Sequence, residues 1–208
     1  MTAVLVIAKA PVAGRAKTRL HGPYTPAEAA ALAEAALADT LATVAALPAA
    51  RRILVLDGEP GPWLPGGFEV TAQRGGGLDE RIAAAFAHCP GPSLLIGMDT
   101  PQLAHAHLAG VFAPGAWTRH DAYLGPAADG GFWALALARA TPALLLGVPM
   151  STATTGREQR ARLLRHGLSV GDLPELRDVD TAADVGPVAA LAPGGRFAAL
   201  ARELGERG

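Results

Sequence analysis

The sequence predicts an α/β domain with a mostly parallel sheet and helices on both faces. Short apolar runs without polar interruption (Val4–Ala8, Ile53–Leu56, Ser93–Met98) have the composition of strands buried on both sides. Between them lie Ala/Leu-rich stretches of helical length, and strands that alternate with helices build parallel sheets. A third observation concerns the ends of these runs. Each stops at a charged residue with Gly or Pro close behind, as a chain leaving the carboxyl rim of such a sheet does.

Val4–Ala8 is the first strand, followed by Lys9 and a loop containing Pro11 and Gly14. Thr25-Pro26 opens a helix reaching Leu47, because Thr caps helices well and proline is pre-set for the first helical position. Ile53–Leu56 is the second strand, ending at Asp57, and the Gly/Pro-rich segment Gly58–Gly67 is loop. Phe68–Gln73 is a third strand. Leu78–His88 is a helix with Ile82, Ala85 and Phe86 on one face. Ser93–Met98 is the fourth strand, before Asp99, and Gln102–Phe112 follows as a helix. Asp121–Gly125 and Phe132–Ala138 are strands on either side of "PAADGG". Thr154–His166 is a helix with exposed arginines. Leu176–Val179 is a short strand ending at Asp180, and Thr181–Leu191 and Gly195–Leu204 are closing helices. No repeat or linker divides the chain, so residues 1–208 are expected to form one domain.

Half the residues are hydrophobic and 18% are charged, a balance that builds a folded core. The formal net charge of −1 argues against broad electrostatic binding to nucleic acid or to an anionic membrane. Cys89 is the only cysteine, so no internal disulfide can form. Nothing reads as a signal peptide, and no apolar span reaches about 18 residues. A cytoplasmic location is expected. A homodimer stays open, since the sequence does not give the oligomeric state.

The chemistry is expected at the carboxyl rim of the sheet. Lys9, Asp57, Asp99, Asp129 and Asp180 all follow strands. Mixed charge of this kind suits a phosphate ligand with a divalent cation: carboxylates hold Mg²⁺, and the basic residues meet phosphate oxygens. Of 18 basic Lys and Arg residues only Lys9 and Lys17 are lysines, and both lie in the first loop region with Arg15 and Arg19. A Gly-containing loop after a strand offers N–H groups to an anion, although this one lacks the GxxxxGK[ST] spacing. The plainer reading is a solvated basic loop.

The segments "AKAPVAGRAKTRL", "GMDTP", "GPAADGGFWALAL" and "DVDTAAD", in that order, resemble the DUF2064 or CofC-like (glycosyltransferase-like) family of the GT-A nucleotide-diphospho-sugar transferase superfamily. The resemblance spans about residues 2–191. It implies a GT-A-like three-layer α/β/α sandwich, a nucleotide near the N-terminal half, and Mg²⁺, with Mn²⁺ as the alternative, on carboxylates. Carried onto this sequence, it points to Lys9, Gly14, Arg15, Lys17 and Arg19 around the phosphates. Gln73, Arg74 and Gly76 fall against base or phosphate, Asp99 and Asp180 on the metal, and Lys17, Asp99 and Asp129 in catalysis. Other readings stand beside these. Asp99 and Thr181 can cap helices, with Asp184 completing a capping box. Asp178 can replace Asp180 as ligand, and Asp129 can simply shape a turn. "MSTATTG" can close over an acceptor or cap the helix after it.

Two reactions fit such a site. A nucleotidyltransferase would join an NMP group from an NTP to a small phosphorylated acceptor. A glycosyltransferase would use a nucleotide-sugar and need a base, such as Asp129, for an acceptor hydroxyl. The concentration of cations in the first loop favours the former. A nucleotide-binding module without turnover is a third class, and no missing carboxylate supports it. Three positions depart from the family pattern: Phe132-Trp133 follows "DGG" where two tyrosines are expected, and Met150 stands in place of a tryptophan. They put the identity of the acceptor in doubt.

Overall fold

In a computed structural model that describes residues 1–206, the apolar runs become strands. These are β1 (Ala3–Lys9), β2 (Arg52–Asp57), β3 (Glu69–Ala72), β4 (Ser93–Gly97), β5 (Ala122–Pro126), β6 (Phe132–Leu137) and β7 (Val170–Asp172). They form one sheet in the order β3-β2-β1-β4-β6-β5-β7. β1 pairs in parallel with β2 and β4, and its register sets Lys9 opposite Asp57. Among the described strands only β6 runs against its neighbours, between β4 and β5. The sheet is therefore mostly parallel, as expected.

The helices are α1 (Pro26–Ala45), α2 (Leu78–Phe86), α3 (Ala109–Phe112), α4 (Ala116–Arg119), α5 (Thr155–Arg165), α6 (Ala182–Leu191) and α7 (Arg196–Gly205). α1 begins in a capping box. Thr25 accepts the Glu28 N–H, and the Glu28 carboxylate accepts the Thr25 N–H at 2.8 Å. Alternation along the strands splits the core in two. Val4, Val6, Leu54 and Ile96 meet Leu37, Leu41 and Val44 of α1 on one face. Leu5, Ile53, Val55 and Leu95 meet Ile82 and Phe86 of α2 and Leu163 of α5 on the other. A third cluster joins the outer side of α1 to α6 and α7 through Leu32, Val188 and Phe197. The result is three layers, α/β/α.

Two expected elements differ. Gln102–Phe112 is not one helix but a 3-10 turn at His105–Leu108 followed by the single turn of α3. The buried Gln102 donates instead to the Arg177 carbonyl at 2.6 Å, which holds the start of this segment against the chain before Asp178. Leu176–Val179 is not a strand of the sheet; the edge strand is β7, which precedes it. Beyond Asp172 the ladder meets Pro174, which has no N–H to give, and resumes only as the single bridge between Ala127 and Leu176. The chain then crosses the rim, where the Val179 N–H donates to the Asp99 carbonyl at 2.9 Å.

Candidate active site

The sheet order fixes the order of the rim. From the β3 edge inward come Gln73, Asp57, Lys9 and Asp99; Asp129 follows β5. Above them lies a cleft of about 630 Å³. Lys9, Arg19, Asp57, Asp99, Asp129 and Asp180 all line it, together with Gln73. Arg15 and Lys17 line an adjoining recess of about 250 Å³ that shares Lys9, Arg19, Asp99 and Asp180. The structure therefore brings the four basic residues of the first loop to the carboxylates across 162 residues of sequence, as the separation of Lys17 from Val179 measures it.

Lys17 is the hub of this junction. Its ammonium lies 2.7 Å from Asp99 Oδ1, and it also donates to the Val179 carbonyl. Only 10% of the side chain is exposed. Its backbone is left-handed, with φ 50°, as is that of Gly14 at φ 76°. Lys17 and Ser151 are the two non-glycine residues of positive φ among those described, and Ser151 lines the main cleft. Such conformations cost about 1 kcal/mol or more and collect at functional sites. Arg19 pairs with Asp180, so the loop is tied to both carboxylates.

Asp178 stands apart from these pairs. Its Oδ1 is buried and accepts no hydrogen bond. Burial pushes its carboxyl up to about 6, and the charges of Asp129 and then Asp99 push the same way. Three carboxylates thus face one another with too little positive charge between them. Among the described residues no three His, Cys, Asp or Glu side chains converge on one metal-sized point, and Lys17 and Arg19 sit on Asp99 and Asp180. Even so, the donor set is all hard oxygen, and the buried oxygen of Asp178 is open to a cation. Both features fit Mg²⁺ or Mn²⁺.

Around the cleft, the "DGG" turn abuts the start of α5. Asp129 Oδ1 accepts the Gly131 N–H at 2.7 Å, so this carboxylate shapes the turn as well as lining the site. Gly130, at φ 90°, admits no side chain: a Cβ there would stand 2.1 Å from the Ala153 carbonyl oxygen. Thr152, Ala153 and Thr155 therefore reach the cleft directly beside Asp129.

The far wall differs from the sequence reading. The amide nitrogen of Gln73 donates to the backbone carbonyls of Ala8, at 2.7 Å, and Val55, which locks it to β1 and β2. Arg74 is exposed, and neither it nor Gly76 is among the cleft residues; the Gly76 N–H donates to Glu80 at 2.7 Å. Arg81, which the sequence did not single out, does line the cleft. It lies 3.6 Å from Asp57 and 3.3 Å from the Gln73 side-chain oxygen. Its only sequence signal is its place one turn into a helix that opens on "GGG".

A three-layer α/β/α sandwich with basic side chains and carboxylates gathered at the carboxyl rim of its sheet places the chain among transferases of the nucleotide-diphospho-sugar transferase type. Solved structures agree. A Desulfovibrio desulfuricans G20 protein provisionally classed among nucleotide-diphospho-sugar transferases superposes with a TM-score of 0.78 at 25% identity, covering 98% of this chain and 99% of its own. The 2-C-methyl-D-erythritol 4-phosphate cytidylyltransferase of Thermus thermophilus shares the fold at a TM-score of 0.55 and 18% identity, over 93% of this chain and 100% of its own. The sequence model of DUF2064, described as an uncharacterized protein conserved in bacteria, matches residues 29–152, and the chain belongs to that family. It is also 34% identical over 200 residues to a phosphoenolpyruvate guanylyltransferase of Salinispora arenicola strain CNS-205, covering 90% of this chain and 88% of that protein.

Proposed function

We propose that the protein is a nucleotidyltransferase that moves a guanylyl group from GTP to a small phosphorylated acid. The observation that carries this reading is the 2.7 Å contact between Lys17 and Asp99, which joins a phosphate-seeking cation to a metal-seeking carboxylate at one point of the rim. The guanylyltransferase name of the Salinispora relative supports GTP as donor and phosphoenolpyruvate as the first acceptor to try.

In the proposed reaction an oxygen of the acceptor phosphate attacks the α-phosphorus of GTP. A new P–O bond forms, the bond from the α-phosphorus to its bridging oxygen breaks, and pyrophosphate leaves with the electron pair. The acceptor phosphate is ionised at neutral pH, so no base is required, and positioning and charge neutralisation carry the chemistry. Lys9, Arg15, Lys17 and Arg19 hold the triphosphate and meet the charge that builds on the leaving group, with Gly14 giving the loop its turn. Bound Mg²⁺ would draw charge from the phosphate oxygens, with Asp99 and Asp180 as its ligands and Asp178 beside them. Asp129 and the hydroxyls at the start of α5 face the acceptor. A glycosyl-transfer reading asks Asp129 to serve as base, yet one of its oxygens is already spent on the Gly131 N–H.

Thermal unfolding with Mg²⁺ and each of the four NTPs tests the donor. GTP at a hundredfold excess over Kd should add about 2.7 kcal/mol to stability, and Asp99→Asn should lose the metal-dependent part. Stabilisation by UDP-, GDP- or dTDP-sugars and by no NTP would overturn the reading.

A further inference from the structure

We infer that Asp57 and Arg81 together read the guanine base, with Asp57 selecting it through the 2-amino group; this rests on the guanylyl-transfer reading above. The rim order gives the base its direction. Asp57 ends β2 and Asp99 follows β4, with β1 between them, so they stand two strand spacings apart, about 10 Å. A nucleotide whose phosphates lie at Lys17 and Asp99 has two directions in which to extend. Toward β5 it meets Asp129, Thr152 and Thr155, a polar wall fit for an anionic acceptor. Toward β2 it meets Ile7, Leu78 and Ile82, apolar surfaces for the faces of a flat ring, and beyond them Asp57 and Arg81.

The hydrogen-bond pattern there matches one base. A carboxylate has two acceptor oxygens and no donor, and a guanidinium has donors only. Arg81 Nη1 lies 3.6 Å from Asp57 Oδ2, so the two groups stand side by side and offer acceptor, acceptor, donor. The Watson–Crick edge of guanine offers the complement: the 2-amino donor, the N1–H donor and the O6 acceptor. Adenine and cytosine set a ring-nitrogen acceptor beside their amino group, and uracil sets a carbonyl on each side of its N–H. Each would place an acceptor against the carboxylate.

The pair is also held in place. Arg81 is fixed by the Gln73 side-chain oxygen at 3.3 Å and by the Gly76 carbonyl at 3.2 Å. Gln73 is itself anchored to the carbonyls of Ala8 and Val55 on the two strands beneath. Gln73 therefore acts as a positioning residue behind Arg81. Asp57 is 36% exposed, so its replacement leaves the core untouched.

Inosine triphosphate keeps O6 and N1–H and lacks only the 2-amino group, which makes it the probe. Wild-type protein, with Mg²⁺, should bind GTP about tenfold or more tighter than ITP, the worth of one charge-assisted hydrogen bond. Asp57→Asn should weaken both nucleotides, GTP by about tenfold more than ITP because it loses the 2-amino contact as well, so that the two bind alike, with melting temperature and circular dichroism as wild type. GTP and ITP binding equally to the wild type would overturn the inference and leave guanylyl transfer standing, as would an Asp57→Asn variant that keeps the preference. A wild type that binds another NTP but not GTP would overturn both.

Discussion

Lys17 combines three properties that rarely meet in one lysine: a left-handed backbone, near-complete burial and a carboxylate at 2.7 Å. It is the counter-ion of Asp99. In the proposed reaction Asp99 would be freed to hold a metal ion and the Lys17 ammonium to meet the triphosphate. Lys17→Met should therefore lower kcat by about 100-fold, the scale of one preorganised charge on a developing anion, while GTP affinity falls by much less. Equal losses in affinity and kcat/KM with kcat unchanged would reduce Lys17 to a binding contact. This residue was legible because the sequence spends its only two lysines at the first loop, and Asp99 was legible in "GMDTP". Arg81 was not, because an arginine in an amphipathic helix looks the same whether it faces solvent or a cleft. Gln73 was expected against the nucleotide, and its amide turned inward to backbone carbonyls that no sequence pattern announces.

At the scale of elements, strands buried on both faces could be read directly, and their ends set the rim. β1, β2 and β4 match their apolar runs within a residue or two. β7 was not legible because its three residues, Val170–Asp172, include a glycine and an aspartate. Leu176 and Val179 are buried beside the site without joining the ladder, so apolar content suggested a strand where the chain is only extended. The capping box at α6 was legible in "DTAAD", and it carries a pH signature. Burial alone would raise the Asp184 carboxyl. Hydrogen bonds from the Thr181 N–H and hydroxyl, then from Arg177 and the Asp180 N–H, outweigh it and hold the group down at about 2. The folded value lies below the ordinary 3.8, so the stabilisation is complete above about pH 4 and is lost as pH falls from there through about 2. Asp184→Asn should cost about 2 kcal/mol in denaturant unfolding at pH 7 and progressively less toward pH 2. A cost that stayed constant over that range would show that the carboxylate charge contributes nothing.

Over the whole molecule, a single sheet covered by helices on both faces carries a charged crevice at its carboxyl rim, and loops from distant parts of the sequence meet there. The first loop and the 178–180 segment pack into the third cluster with α1, α6 and α7, where Leu20 and Val179 are both buried. No helix among the described residues is long and apolar enough to cross a membrane. The fold alone admits both nucleotidyl and glycosyl transfer; what separates them is the leaving group. The most direct measurement is product analysis with Mg²⁺, following pyrophosphate release and the mass of the product for GTP with phosphoenolpyruvate and with other small phosphorylated acids. One pyrophosphate is expected for each guanylylated acceptor, and neither product in Asp99→Asn. Release of a nucleoside diphosphate from a nucleotide-sugar, with no pyrophosphate from any NTP and any such acceptor, would contradict guanylyl transfer.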